Sequence, residues 1–416
     1  MDSVELYRQL LGVATPWTVE QVKLDVVKQH VDVYVAHRPG QRFACPQCGH
    51  ELSVYDHLAS RAWRHLDSCQ FLTFLHARPP RVACPEHGVR QVTLPWAQAG
   101  SRFTNLFEGL AIEVLLATNV KSAAQLLRIT WDEAWHLMER AVNRGRAAKG
   151  SALPRQMGID EKAIAKGHRY MTLVCDLEAA TVEYIGEERK ETSLSTYFDG
   201  FPQESREQIE AISLDMWPAY IKACRDKVPE ADGKMVFDRF HIMRHVLEAV
   251  DKVRKQEHKA LQATGDTTLS KSKYLWLTNP QNMTDEAWAR FSELQNVELK
   301  TGRAWALKET LRELWRYKSA TWATKFWKRW YFWATHSRLP PMIEAAKLIA
   351  RHLPNVMTYF AHRITNAVAE GLNSKIATVQ KRACGYRNAD HFKIAVYFHC
   401  GGLNLCPPHV THTKVG

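Results

Sequence analysis

Several absences narrow what this 416-residue chain can be. No stretch approaches the run of about 20 apolar residues that a membrane-spanning helix needs. The opening Met1-Asp2-Ser3-Val4-Glu5 has no basic region followed by an apolar one, so no signal peptide is expected and the expected location is a reducing cytoplasm. Nine cysteines in such a compartment do not make a disulfide framework, and closely spaced ones are better read as metal ligands. There is no internal repeat and no low-complexity tract, which excludes solenoids and arrays. Acid is also in short supply: 44 Asp and Glu stand against 56 Lys and Arg, a net charge of +12. That imbalance points to a polyanionic partner, nucleic acid before membrane. Hydrophobic residues at 45% are ordinary for a folded protein, and the length predicts two to four domains.

The first motif is a pair of knuckles. Cys45-Pro46-Gln47-Cys48-Gly49 offers two thiolates across a tight turn, and Cys84-Pro85-Glu86-His87-Gly88 repeats it with a histidine in the last place. Three sulfurs and one nitrogen suit tetrahedral zinc, and four protein ligands close the site, so Cys45, Cys48, Cys84 and His87 are expected to hold one structural zinc. The long gap between the knuckles contains strand-like pieces, as in a zinc ribbon. Cys69, between them, is expected to be buried rather than ligating. His399, Cys400, Cys406, His409 and His412 form a second, irregularly spaced group that fits a metal site poorly.

The runs Val22–Val26 and Val31–Val35 alternate as half-buried strands do, after a short leading segment. Residues 101–147 read as three helices. Phe103–Thr118 comes first, then Ala123–Arg128 with Ser122 as N-cap. The third, Asp132–Asn143, opens on the capping box Thr130-x-x-Glu133. Taken alone this is a helical hairpin; the adjacent zinc module favours a helix-turn-helix that reads the major groove, with Lys121, Arg128, Arg140, Arg144 and Arg146 offered to DNA. Gly145–Pro154 looks like a small, basic linker.

From 156 onward the pattern is strand, strand, strand, helix, strand, helix, strand. Strand 1 carries Asp160 at its end, after Met157-Gly158-Ile159. Strands 2 and 3 are Tyr170–Asp176 and Thr181–Ile185, followed by a helix near Ser193–Glu207. Asp215 ends the apolar run that begins at Ile209, and strand 5 is Lys234–Asp238. Adjacent ends of strands 1 and 4 would bring the two aspartates together, an RNase H-like layout whose hard oxygens suit magnesium. A third carboxylate lies far along the chain. Val368, Leu372, Ile376 and Val379 make the apolar stripe of one helix, and Glu370 falls away from it beside Asn366, Asn373 and Lys381. Between the two blocks the chain is helical and rich in tryptophan. Trp305, Trp315, Trp322, Trp327, Trp330 and Trp333 lie among arginines and lysines. For most of them a core role is favoured over base stacking. After residue 383 a tail is expected.

On these features the sequence resembles the ISL-three family of bacterial insertion-sequence transposases, over nearly its whole length. The resemblance rests on the knuckles and the helical segment, on Gly158-Ile159-Asp160-Glu161, on Asp215-Met216-Trp217-Pro218-x-Tyr220 and on Asp238-Arg239-Phe240-His241. It rests most on Thr365-Asn366-x-x-x-Glu370-Gly371-Leu372-Asn373 with Lys381-Arg382-x-x-Gly385-Tyr386-Arg387-Asn388. His87 departs from the family, where a fourth cysteine is usual. The resemblance implies a multidomain α+β protein: zinc ribbon 1–97, helix-turn-helix 98–150, RNase H-like core 151–240 and 356–416, and helical insertion 241–355. It implies that Asp160, Asp215 and Glu370 form a catalytic triad on a pair of Mg2+ or Mn2+ ions, Asp160 bridging both. Asp238 and His241 stand as auxiliaries, Asp238 also as the reserve third carboxylate. His241, Asn373, Lys381, Arg382 and Arg387 are expected to contact DNA. The expected activity is cleavage and strand transfer of double-stranded DNA at terminal inverted repeats, by a homodimer, with the nucleoid as working location. A DNA-binding regulator without catalysis leaves the carboxylates unexplained, and an RNase H-like nuclease without joining leaves the N-terminal modules unexplained.

Overall fold

The computed structural model describes residues 2–165 and 169–407, with backbone alone at 164, 165 and 169. The short leading segment is helix α1 (Ser3–Leu10). Eight strands follow: β1 (Trp17–Asp25), β2 (His30–His37), β3 (Arg42–Ala44), β4 (Glu51–His57), β5 (Arg61–Ser68), β6 (Phe71–Ala77), β7 (Pro80–Cys84) and β8 (Gly88–Gln91). They form two sheets, ordered β1-β2-β6-β5 and β3-β4-β7-β8. The knuckles are the β3–β4 and β7–β8 turns of the second sheet. The residues between them lengthen the gap because the β5–β6 hairpin leaves that sheet and pairs with β2 instead. Trp17, Val33, Trp63, Leu75 and Trp96 fill the core that the two sheets share. Cys69 sits exposed at the tip of that hairpin with φ 49°, which corrects the expectation of burial: a turn residue in the left-handed region has no core face to occupy.

Three helices come next: α2 (Asn105–Ala117), α3 (Val120–Leu127) and α4 (Trp131–Lys149). The Thr130–Glu133 capping box opens α4 as predicted. The N-cap of α3 is Asn119, whose side chain accepts from the Ser122 N–H at 2.9 Å, so the helix begins earlier than Ser122 would have started it. The first half of the supposed linker is the end of α4, which runs to Lys149. Gly145 is buried there because Leu403 lies against it: a Cβ at 145 would come within 2.7 Å of the Leu403 Cβ.

A five-stranded sheet follows, built from β9 (Gln156–Ala165), β10 (Arg169–Asp176), β11 (Thr181–Glu187), β12 (Ala211–Leu214) and β13 (Met235–Phe237), in the order β11-β10-β9-β12-β13. The first three strands are antiparallel, and β12 and β13 run parallel to β9. The helix expected near 193–207 is two, α5 (Glu191–Asp199) and α6 (Gln203–Glu207), parted by Gly200-Phe201-Pro202. Helices α7 (Pro218–Lys227) and α8 (Ala231–Lys234) join β12 to β13. Alternate residues of β9 and β10 face opposite layers. Met157, Ile159 and Val174 pack with α5 and α7, while Met171, Leu173 and Cys175 pack with α4 and the C-terminal helices.

Residues 239–362 are helical apart from short connections: α9 (Arg239–Gln262), α10 (Lys273–Leu277), α11 (Asp285–Gln295), α12 (Lys300–Arg312), α13 (Ala320–Thr335), α14 (Pro340–Arg351), α15 (Leu353–Met357) and α16 (Tyr359–His362). Trp276, Trp315, Trp327 and Trp330 are buried in this bundle, whereas Trp322 and Trp333 stay exposed. The chain then returns to the sheet through α17 (Ala367–Arg382). It ends its described part after α18 (Ala389–Cys400), a helix where a tail was expected. Among the described residues no helix is long and apolar enough to cross a membrane.

One buried carboxylate ties the three-helix segment to the C-terminal region. Glu108 of α2 is fully buried and accepts from Arg140 at 3.0 Å and Arg144 at 2.8 Å. Arg144 also donates to the Leu405 carbonyl, and Arg146 lies over the Tyr397 ring at 4.4 Å. Removing one partner strands buried charge. Glu108→Ala is therefore expected to destabilise the chain by about 3 kcal/mol, read as a lowered midpoint in thermal or denaturant unfolding, while Glu113→Ala on the same helix changes little.

Candidate active site and metal centre

The knuckle residues meet as the sequence predicts. Cys48 and Cys84 Sγ lie 3.6 Å apart, Cys84 Sγ and His87 Nδ1 3.5 Å, and Cys45 Sγ and His87 Nδ1 4.0 Å. All four ligand atoms fall within 4.8 Å of one another. A tetrahedron with zinc–sulfur bonds of about 2.3 Å has sulfur–sulfur edges of roughly 3.8 Å, so the donor set and spacing fit zinc. Gly49 and Gly88 take φ +78° and +70°, the left-handed turn each knuckle requires. Backbone N–H groups of Cys48 and Gln47 point at the Cys45 sulfur and pull its pKa down to about 6, toward the thiolate a metal needs. The second, C-terminal group does not assemble among the described residues. Cys400 is buried, Cys406 exposed, and burial pushes His399 down to about 4. His409 and His412 lie outside the described residues.

The three carboxylates gather at the point where the sheet forks. β9 pairs with β12 only as far as Gly158 and Ser213, then continues along β10. Asp160 is therefore in the middle of a strand rather than at its end, as first expected, but just past the last parallel pairing. β12 stops at Leu214, and Asp215 follows it directly. Asp160 Oδ2 accepts from Asn373 Nδ2 at 2.7 Å and Oδ1 from the Glu161 N–H at 2.8 Å. Burial raises the Asp160 pKa, and the charges of Asp215 and Asp238 push the same way while His241 opposes them. Asp215 Oδ1 accepts from the Met216 N–H at 2.6 Å. Its Oδ2 faces two guanidinium groups, Arg189 at 3.7 Å and Arg244 at 4.0 Å, and the His241 ring at 3.4 Å.

Glu370 arrives from the other end of the chain. Leu372, Ile376 and Val379 bury the predicted stripe of α17, and Glu370 stays exposed in its first turn. What lets α17 come so close is Gly158. A Cβ there would stand 2.8 Å from Leu177 Cδ2, 3.1 Å from Asn366 Oδ1 and 3.3 Å from the Ala369 Cβ. Burial raises the Glu370 pKa, as do Asp238 and Asp160, with His241 acting against them. Asp238 is a different kind of carboxylate. It is buried, caps α9, and is held by the backbone N–H groups of Phe240, His241 and Asn366. Glu370, by contrast, is exposed.

Among the described residues, Asp160, Asp215 and Glu370 do not form a group whose oxygens all lie within 4.8 Å of one another. Hard oxygen donors, mutual repulsion and incomplete solvation all favour divalent charge here.

The remaining predicted contacts divide. Lys121, Lys381, Arg382 and Arg387 are exposed, and Asn373 and His241 lie in the centre itself. Lys162 donates to the Asn373 carbonyl at 3.0 Å. It feels both Asp160 and Lys381, which puts Lys381 on the same side. Arg140, Arg144 and Arg146 are turned to Glu108, Leu405 and Tyr397, and Arg128 is paired with Asp67, so internal partners hold the cations expected on DNA. Arg189, Arg244 and Lys162 were missed. Arg189 lies in the charged run Glu187-Glu188-Arg189-Lys190-Glu191, which reads as a solvated turn.

Three family models match the chain. One described as Transposase covers residues 157–396. One described as a helix-turn-helix domain of transposase family ISL3 covers 92–142, and one described as a zinc-finger of transposase IS204/IS1001/IS1096/IS1165 covers 41–87. The chain is similar to the transposase for insertion sequence element IS1557 of Mycobacterium tuberculosis, 27% identical over 423 residues that span 93% of each protein. It is also similar to the transposase for insertion sequence element IS1001 of Bordetella parapertussis, 25% identical over 356 residues, 85% of this chain and 87% of the relative.

Two outcomes are expected. Cys84→Ser should lose zinc, measured by metal analysis, and unfold the β3-β4-β7-β8 sheet, since structural zinc contributes on the order of 10 kcal/mol to such folds. The raised acids bind protons more tightly folded than unfolded. Their drag on the metal-free fold is therefore absent at low pH and grows as pH rises above the ordinary carboxylate range. Asp238→Asn, which keeps the cap, should raise the metal-free melting temperature at about pH 8 and lose that advantage at about pH 4.

Proposed function

Because this chain belongs to the ISL3 family of transposases, whose catalytic model covers more than half of it, we propose that it binds the terminal inverted repeats of its own insertion sequence and cuts and rejoins DNA there. The chain is a DNA-binding transposase with a zinc-finger and a helix-turn-helix segment. The finer reading is that 151–240 and 356–416 form an RNase H-like core, that 241–355 is a helical insertion within it, and that Asp160, Asp215 and Glu370 are the DDE triad. The sheet order β11-β10-β9-β12-β13, with carboxylates where β9 and β12 part, supports that reading.

A pair of Mg2+ or Mn2+ ions, when bound, supplies a nucleophile from water or a DNA 3′-hydroxyl and relieves charge on the leaving oxygen. The protein's own work is to hold and orient. Asp160, oriented by Asn373 and the Glu161 amide, would be a ligand for the ions. Asp215 and Glu370 flank it from β12 and α17. His241 stands against Asp215 and within electrostatic reach of Asp160 and Glu370, so it steadies all three. Lys381, Arg382 and Arg387 are exposed cations suited to backbone phosphates, with affinity that falls as salt rises, and Lys162 lies half-buried beside them. No serine or tyrosine nucleophile is assigned, because attack by water or a DNA hydroxyl needs none. The two ends of an element have to be joined together, so the working form is a homodimer on DNA.

The observation that carries the reading is the convergence of three carboxylates from distant parts of the chain, across more than a hundred residues of helix. A non-catalytic regulator has no use for it. Asp160→Ala is expected to lower metal-dependent cleavage of an inverted-repeat duplex roughly 10³-fold or more, the effect of losing several kcal/mol of transition-state stabilisation. Binding of the same duplex, measured by fluorescence anisotropy, should persist. Cleavage near the wild-type rate would refute the triad.

A further inference from the structure

Three residues of the family-specific motifs have no part in the triad: Glu161, Trp217 and Tyr220. All three lead to Arg189. Its guanidinium lies over the Trp217 ring at 3.9 Å and is paired with the Glu161 carboxylate. Tyr220 is buried, and its hydroxyl meets Thr172 Oγ1 at 2.9 Å; that oxygen in turn donates to the Glu188 carbonyl at 2.8 Å. Glu188 takes φ 62°, a left-handed turn at a residue that is not glycine, and it redirects the chain at the end of β11. The turn delivers Arg189 across the end of the sheet, to 3.7 Å from Asp215 Oδ2.

This is a great deal of structure to position one arginine. A guanidinium stacked on an indole and paired along one edge is fixed in plane, with its remaining N–H groups aimed outward. Arg189 is about three-quarters buried, yet its partner Asp215 is a residue proposed to turn to a metal ion. Once Asp215 does so, Arg189 keeps Glu161 and Trp217 and is left with unsatisfied donors at the reacting centre. A planar fork of N–H groups beside a divalent pair matches one ligand class, a phosphate oxygen.

We propose that Arg189, clamped between Trp217 and Glu161, is a substrate-binding residue that passes from Asp215 to the scissile phosphodiester when DNA and metal are bound. It rests on the reading of Asp215 as a metal ligand. In this role Glu161 and Trp217 are positioning residues, and their place beside Asp160 and Asp215 in the two motifs follows from the clamp.

The test is binding rather than turnover. Fluorescent duplexes carrying the element's terminal repeat are made with a normal or an uncharged methylphosphonate scissile linkage. They are titrated with the full-length protein in calcium, a larger ion with looser coordination than in-line chemistry demands. Wild type is expected to bind the neutral linkage ~10-fold more weakly, the size of one charge-assisted hydrogen bond. Arg189→Gln should keep only the smaller preference that the calcium ions themselves give the charged linkage. If Arg189→Gln fails to fold, judged by zinc content and thermal transition, Arg189→Lys replaces it. A flexible ammonium should then leave roughly a 3-fold difference at most. Full discrimination by either variant would overturn the proposal. So would a loss of Mn2+ binding by Arg189→Gln with discrimination intact, which would make Arg189 a tether for Asp215 only. Cleavage by Asp160→Ala would refute the triad without touching this comparison, so the two claims fail separately.

Discussion

The absence of one side chain decides where the third carboxylate goes. Helix α17 crosses β9 over Gly158, and a Cβ at that position would displace the Leu177 tip and crowd Asn366 and Ala369. The Glu370 helix has no covalent reason to be there, since a bundle of eight helices separates it from β13. It is brought back by packing of Ala369, Leu372 and Ile376 under the sheet, and Gly158 lets it dock closely. The same approach carries Asn373 to Asp160 and the Asn366 amide to Asp238. The geometry of the centre is thus a consequence of one helix-on-strand contact.

That contact concentrates negative charge where solvation is incomplete. Burial is the leading cause of the raised pKa at Asp160, Glu161, Asp238 and Glu370, and the carboxylates raise one another further. The protein offsets this locally with cations and backbone amides: Arg189 and Arg244 at Asp215, beside the His241 ring, and three N–H groups at Asp238. A site that repels itself in this way is held together by the surrounding fold.

Much of this was legible in the sequence, for physical reasons. Knuckle spacing fixes ligand identity locally, so Cys45, Cys48, Cys84 and His87 could be named without a structure. The 3.6-residue stripe of α17 told which way Glu370 faces. Burial of the β12 run placed Asp215 at a strand end. Non-local features were not legible. Arg140 and Arg144 looked like DNA contacts because their partner, Glu108, lies a helix away and carries no mark of its burial. Asp160 looked like a strand end because nothing local says that β9 outruns β12. The helix α18 was read as a tail because the glycines and prolines after it dominate the local pattern. Arg189 was invisible because its importance lies in a left-handed turn at Glu188 and in partners from two other elements.

The central claim is that Asp160, Asp215 and Glu370 share a pair of divalent ions. Electron paramagnetic resonance of the Mn2+-loaded protein on its terminal-repeat DNA reads this directly. A spin-coupled pair of manganese ions is expected, reduced to a single uncoupled ion by Glu370→Gln or Asp215→Asn and lost with Asp160→Asn. One uncoupled ion in the unsubstituted protein, or a coupled pair unaffected by these substitutions, would contradict the account.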